Sequence, residues 1–359
     1  MRSFMTCLSV LGLIALYLTM WPTPVSSVSW QAPENKGYID EFSVNNKLSS
    51  VELISLNGEE GPEDFAVNSQ GDVFFALLGG KVMKIDAENN ISEFANTGGR
   101  PLGIEFAPNG DLIVADAYKG LLSISKEGEV NLLTDSVIGS QIRYADDVDI
   151  TSEGIIYFSD ASTKFSAKEY GTYAASLLDI MEHGGHGRVL KFNPETQETS
   201  VVVGGLQFAN GISISHEEDA VLINETGSYR VLKHWISGDK AGTTDVILEN
   251  LPGFPDNINK GNEGRYWLGL VSPRSDALDA LSGHGRIRDA VQRLPAQLRP
   301  KAQLYGHVLA IDGNGTVLTS LQDPETTYSY TTGAVENGPW LYVSSLHEKK
   351  IARLKVPSL

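Results

Sequence analysis

The sequence predicts an all-β fold: a six-bladed β-propeller with helical lid insertions, preceded by an N-terminal transmembrane helix. Three observations carry this expectation. A turn followed by a short apolar strand recurs six times, as "SQGDVFFAL" from Ser69, "PNGDLIVAD" from Pro108, "SEGIIYFSD" from Ser152, "EEDAVLINE" from Glu217, "NEGRYWLGL" from Asn262 and "ENGPWLYVSSL" from Glu336. A second alternating strand follows each copy, such as "KVMKID" at Lys81, "RVLKFN" at Arg188 and "HVLAID" at His307. An uncharged run, "FMTCLSVLGLIALYLTMW" from Phe4 to Trp21, opens the chain.

Short strands of period two, separated by Gly, Asn and Asp turns about 40 residues apart, are the pattern of propeller blades. The turn glycines Gly71, Gly110 and Gly154 stand 39 and 44 residues apart. Later intervals are longer, which places insertions at about 161–187 and 272–302. In the second insertion Ile287, Val291, Leu294 and Leu298 recur at helical spacing. The expected organisation is an anchor and linker over 1–30 and one propeller over 31–359.

The 18 residues from Phe4 to Trp21 would span roughly 27 Å as a helix, close to a hydrocarbon core of about 30 Å. Arg2 precedes the run and no Lys or Arg follows until Lys36. That asymmetry puts the N-terminus in the cytoplasm and the propeller on the extracytoplasmic side, in a periplasm, lumen or extracellular space. The alternative is a secreted chain, cut after Ser27 and starting near Val28. Cys7, the single cysteine, lies within the run, so no disulfide is expected in the propeller.

The formal net charge of −17 argues against a nucleic-acid partner, which needs a basic face. Against that background, 272–302 is a basic island. It holds six Lys or Arg (Arg274, Arg286, Arg288, Arg293, Arg299, Lys301) and three acids (Asp276, Asp279, Asp289). Contact with anionic lipid headgroups beside the anchor is the expectation.

The stretch "RYADDVDI" from Arg143 crowds three aspartates into a predicted strand, where Asp is disfavoured. Eight residues before the turn glycines Gly71, Gly154 and Gly264 stand Glu63, Asp146 and Asp256. The fourth blade has one extra residue, and its matching position is Asn210. Four oxygen-bearing side chains at one register, each entering an inner strand, would converge on the central channel. Three carboxylates and an amide suit a hard cation, with Ca2+ first. For Asp147 the favoured expectation is a solvated position or a supporting one behind the ligands, the alternative being that it orients a ligand or a water.

At these residues the chain resembles the six-bladed propellers of the gluconolactonase and senescence-marker-protein superfamily, in its strictosidine-synthase-like branch. The matching stretches include "GPEDFAV", "YADDVDI", "HGRVLKFNPETQE", "LQFANGISIS", "LPGFPDNIN" and "GHVLAIDGNGTVLTSLQDP", from about Gly61 to the C-terminus. The resemblance implies a central calcium on Glu63, Asp146, Asn210 and Asp256, and an N-terminal membrane anchor. Asp146 replaces the family's usual Asn and adds a negative charge. The catalytic glutamate of strictosidine synthase lies in the last blade. Here that region reads "YSYTTGAVENG", whose one acid, Glu336, sits at the turn. A strictosidine-type condensation is therefore not expected.

The reading is a membrane-anchored, calcium-dependent hydrolase of lactones or aryl esters, with Asp256 as general base or nucleophile. His183 and His307 are the expected proton shuttles, and His186 lies beside His183. The alternative is a noncatalytic, metal-stabilised propeller that binds a small molecule or a protein.

Overall fold

The computed structural model describes residues 2–358. Twenty-four strands form six four-stranded antiparallel sheets around a central channel. Blade 1 runs Phe65–Val67, Val73–Ala76, Lys81–Ile85, Ile91–Asn96, and blade 2 runs Pro101–Phe106, Leu112–Asp116, Gly120–Ile124, Val130–Thr134. Blade 3 is Ala145–Ile150, Ile156–Asp160, Gly187–Asn193, Glu198–Leu206, and blade 4 is Ala209–Ile214, Ala220–Glu225, Arg230–Trp235, Thr244–Leu248. Blade 5 is Gly253–Lys260, Arg265–Pro273, Gly306–Asp312, Val317–Asp323. Blade 6 takes Thr331–Asn337, Trp340–Ser345 and Lys350–Lys355 from the C-terminus, and its outer strand, Glu52–Ser55, from the N-terminal side. Pairing of Glu52 with Arg353 and of Ser55 with Lys350 closes the ring, so no blade is left short of its fourth strand.

Burial falls from the channel outward, as the sequence pattern requires. The inner strand Ala145–Ile150 is buried at every residue, whereas the outer strand Val130–Thr134 has none buried. Apolar residues of neighbouring blades pack between the sheets; Ile113, Ala115 and Leu121 of blade 2 meet Val148, Ile150 and Phe158 of blade 3. The turn between first and second strands needs positive φ, which Gly71, Gly110, Gly154 and Gly264 supply at 78–88°. Blade 4, with its extra residue, turns on Glu218 at φ 55°.

Both insertions join a second strand to a third. A first strand that begins at one end of the ring sends the second back to that end, so the lids rise where the inner strands start. The first carries α2 (Ala167–Tyr170) and α3 (Thr172–Glu182), following helix α1 (Arg2–Met20) in chain order. The second carries α4 (Asp276–Ala280) and α5 (Gly285–Gln292). The helical stripe expected through Leu298 ends early: α5 stops at Gln292, and Pro295 precedes a single 3-10 turn at Ala296–Leu298. The basic island is also smaller than its composition. Arg288 is buried and donates to the carbonyls of Met181 and Val28, and Arg274 is buried against Asp279.

Residues 25–32 thread between the lids as a strap. Val28 N–H donates to the Glu182 carbonyl at 2.8 Å, Trp30 N–H to the Ser282 carbonyl at 3.0 Å, and Ser27 N–H to Asp289 Oδ1 at 2.9 Å. Val25 packs among Leu102, Tyr144 and Phe208. Helix α1 forms over the expected run. Among the described residues, however, no helix is long and apolar enough to cross a membrane.

Candidate functional site

Every inner strand after the first breaks its ladder near its start. The register shifts between Pro101 and Ile104, Ala145 and Val148, Ala209 and Ile212, Pro255 and Ile258, and Thr331 and Ala334. Such a bulge bends the strand and re-aims its side chains. The residues it brackets include Leu102, Asp146, Asn210, Asp256 and Thr332, and Glu63 stands just before the inner strand of blade 1. The structure thus brings the four expected ligands together: Glu63, Asp146, Asn210 and Asp256 all line one cavity of about 660 Å3. They are 2%, 4%, 5% and 7% exposed. Blades 2 and 6 contribute Leu102 and Thr332 at this position, which is why four donors converge and not six.

The residue after each of the three carboxylate donors locks the ring. Asp64 Oδ2 accepts from Ile104 N–H of blade 2 at 3.1 Å, and Asp147 Oδ2 accepts from Ile212 N–H of blade 4 at 2.8 Å. Asn257 Nδ2 donates to Glu63 Oε1 at 3.0 Å, from blade 5 to blade 1. Between these stand Gly103, Gly211 and Gly333. A Cβ on Gly103 would collide with Asp147, and one on Gly211 with the Asp256 carbonyl oxygen and with Asn257 Cα. Asp147 is therefore an interblade clamp, in the supporting position behind the ligands. Asp149 continues the series, accepting from Ile214 N–H at 2.7 Å and pairing with Lys260 at 3.0 Å.

Burial dominates the electrostatics. It pushes the Glu63 carboxyl up to about 8, helped by the charge of Asp256. Asp146 is held well above the carboxylate range by burial and then by Glu63 and Asp256. Asp256 is pushed up to about 7 by burial, against the hydrogen bond from Asn210 and with the charge of Asp64. The sequence reading missed the cation that faces this group. Arg100 is fully buried, donates from Nη1 to the Pro101 carbonyl at 3.1 Å, and its charge acts on Glu63 and Asp146. It stands two residues before Leu102, at the blade that lacks a donor, and that gap was the available signal. Asn224 was also missed as a positioning group: its Nδ2 donates to the Asp256 carbonyl at 2.6 Å.

Neither expected histidine reaches the cavity. His183 ends α3 and stacks on Trp30, with ring centroids 3.9 Å apart at 8°. His307 is buried in the third strand of blade 5, against Ser320 Oγ at 3.0 Å and the rings of Tyr38 and Tyr305. Burial pushes both imidazoles down to about 3, so they are neutral, and no histidine is among the cavity's lining residues. His186 pairs with Glu182 at 2.7 Å within the first lid. Glu336, in the last blade, is bound by Arg265 at 2.6 Å and by Trp267 Nε1 at 2.6 Å, and is not among the cavity's lining residues.

Among the described residues no group of three or more His, Cys, Asp or Glu forms a cluster that could hold a metal ion. The convergent set mixes carboxylates with a carboxamide, and it carries unused acceptors. Glu63 Oε2, Asp146 Oδ2 and Asn210 Oδ1 are buried without a hydrogen-bond partner. Orphaned oxygens of this kind are costly unless something fills the space between them, and hard oxygen donors suit a hard cation.

The fold is a six-bladed propeller with its oxygen donors gathered where the inner strands begin. Among solved structures the fold is shared with a gluconolactonase from Xanthomonas campestris (TM-score 0.63, 14% identity, 92% of this chain and 98% of that one). It is shared too with regucalcin, a calcium-binding protein of Agrobacterium tumefaciens (TM-score 0.59, 13% identity, 85% and 93%). The chain belongs to the strictosidine synthase-like family. The family model "Strictosidine synthase" matches residues 146–239, and "Strictosidine synthase-like, N-terminal" matches 40–85. Relatives include adipocyte plasma membrane-associated protein of Bos taurus, 33% identical over 94% of this chain and 86% of its own. Strictosidine synthase-like protein 4 of Arabidopsis thaliana is 33% identical over 86% and 82%.

Proposed function

We propose that the protein is a calcium-dependent hydrolase of lactones or aryl esters, held at a membrane by α1. The observation that carries this is the set of unpartnered buried oxygens of Glu63, Asp146 and Asn210 at the polar end of a mostly apolar cavity. Glu63, Asp146, Asn210 and Asp256 would hold the cation, with the Asn257 carboxamide steadying Glu63. A cation bound there supplies polarisation of the substrate's carbonyl oxygen.

The chain's own groups do the rest. Asp256 lies at the cavity wall, and its carboxylate takes the proton of the attacking water. The carbonyl carbon gains that hydroxyl, the ester C–O bond breaks, and the leaving oxygen recovers the proton from Asp256. Asn224 fixes the Asp256 backbone. Arg100 offsets part of the negative charge that Asp146 adds. The lids shield the reacting atoms from bulk water.

Support for the membrane comes from α1, whose large apolar side chains are exposed, and from the name of the Bos taurus relative. Retention of the N-terminal segment is supported by the strap: cleavage near Ser27 would remove Val25 from its core cluster and the bond from Ser26 N–H to Glu182.

The rival is a binding propeller without turnover, favoured by the lack of histidine among the lining residues. The test is a lactone and aryl-ester panel on the full chain, with and without chelator. Turnover that a chelator abolishes and calcium restores is the expected outcome. A wild-type chain that binds calcium and hydrolyses nothing would hand the site to the rival.

A further inference from the structure

We propose that the substrate is a membrane-resident amphiphile, an ester or lactone with a long apolar chain, that enters the cavity along the end of α1. This rests on the hydrolase reading and adds the substrate class and its route.

Helix α1 exposes apolar side chains on all its faces. Leu11 is 62% and Leu13 66% exposed, and at 100° per residue they point to nearly opposite sides. A helix apolar all round belongs in an apolar medium. Its last turn does not leave the propeller but forms part of the cavity wall, through Tyr17 and Trp21. These two rings lie 5.6 Å apart, the Tyr17 hydroxyl donates to the Arg293 carbonyl at 2.9 Å, and Arg293 Nη1 donates back to the Leu18 carbonyl at 3.0 Å. Tyr and Trp at the end of an apolar helix mark the level of the lipid headgroups. Arg293, Arg299 and Lys301 line the same cavity in a protein of charge −17, as a surface that meets anionic headgroups would.

The cavity wall is graded. Carboxylates and Asn210 gather where the inner strands begin, and the lids above contribute Leu177, Ile180 and Leu278. An amphiphile leaving the bilayer would carry its carbonyl to the acidic end while its chain stays against the lids and α1.

The experiment uses the full chain in phosphatidylcholine vesicles, with aryl esters from acetyl to dodecanoyl. The kcat/KM should climb with chain length, at most about fourfold per methylene, until the wall is filled. Trp21→Ser, checked for an unchanged melting temperature, should lose activity by a factor that grows with chain length. Rates indifferent to chain length, or an equal loss at every length, would overturn the proposal. If no ester is hydrolysed, the hydrolase reading fails by itself, and the amphiphile is then judged by binding of non-hydrolysable N-alkyl amides. Affinity that rises with each methylene upholds the cavity's ligand class, and flat affinity rejects it.

Discussion

Asp146, Asp147 and Asp149 show how three adjacent acids divide one task. Asp146 presents an unpartnered oxygen to the cavity, Asp147 holds blade 4, and Asp149 holds blade 4 one turn of the strand further down and pairs with Lys260. Alanine at 147 would leave the buried Ile212 N–H without a partner, a cost of about 1–3 kcal/mol. Urea unfolding midpoints should show that loss with little change in calcium affinity. Asp256→Asn keeps an oxygen donor but removes the base, so turnover should fall on the order of a hundredfold while calcium occupancy on the same preparation falls far less. Equal loss of both would make Asp256 a ligand only. The register of the four oxygen donors was legible in the sequence because it repeats with the turn glycines. The histidines were misread because period two says only that His307 points off its sheet. It cannot separate a side chain packed between blades from one that reaches the channel. Arg100 belongs to no repeat, and only the missing donor of blade 2 pointed to its position.

At the level of elements, the blades were legible and the connections between them only in outline. Each blade announces itself by alternation and a turn glycine. The lids were found as gaps in the period, but the stripe from Ile287 to Leu298 crosses Pro295 and is not one helix, and Arg288 turns inward to bind the Val28 carbonyl of the strap. The strap carries no periodic pattern, because its hydrogen bonds come from backbone N–H groups to residues more than a hundred positions away. A chain begun at Trp30 should therefore keep its blades and loosen both lids, seen as new protease cuts within 167–182 and 276–292. Gly211 tests the bulge register: Gly211→Ala drives a Cβ against the strand that carries Asp256, at 2.6 Å from Asn257 Cα. A stability loss of about 1–3 kcal/mol is expected, with weakened calcium binding by calorimetry.

For the whole molecule, blade-to-blade ties set the response to acid. Burial works to raise the Glu336 carboxyl, but hydrogen bonds from Arg265, Trp267 and Asn262 win and hold it below its usual range. A depressed native value means stabilisation that is fully present above the unfolded carboxylate value and is lost as pH falls through the native one. The advantage of the wild type over Glu336→Gln in urea midpoint should thus be constant near neutrality and shrink below about pH 4.5. An advantage that held its size into strong acid would assign the difference to shape and not to charge.

The outer strand of blade 6 has a further consequence, in time. Glu52 meets Arg353 across 301 residues of chain. At a synthesis rate of roughly 5–20 residues per second, that partner emerges on the order of fifteen seconds to a minute later. Until then the first strand made has no sheet to join, and the ring stays open whatever the earlier blades have done. Closure waits for that strand, and a nascent protein stalled before Lys350 would remain a circle with one seam unsewn.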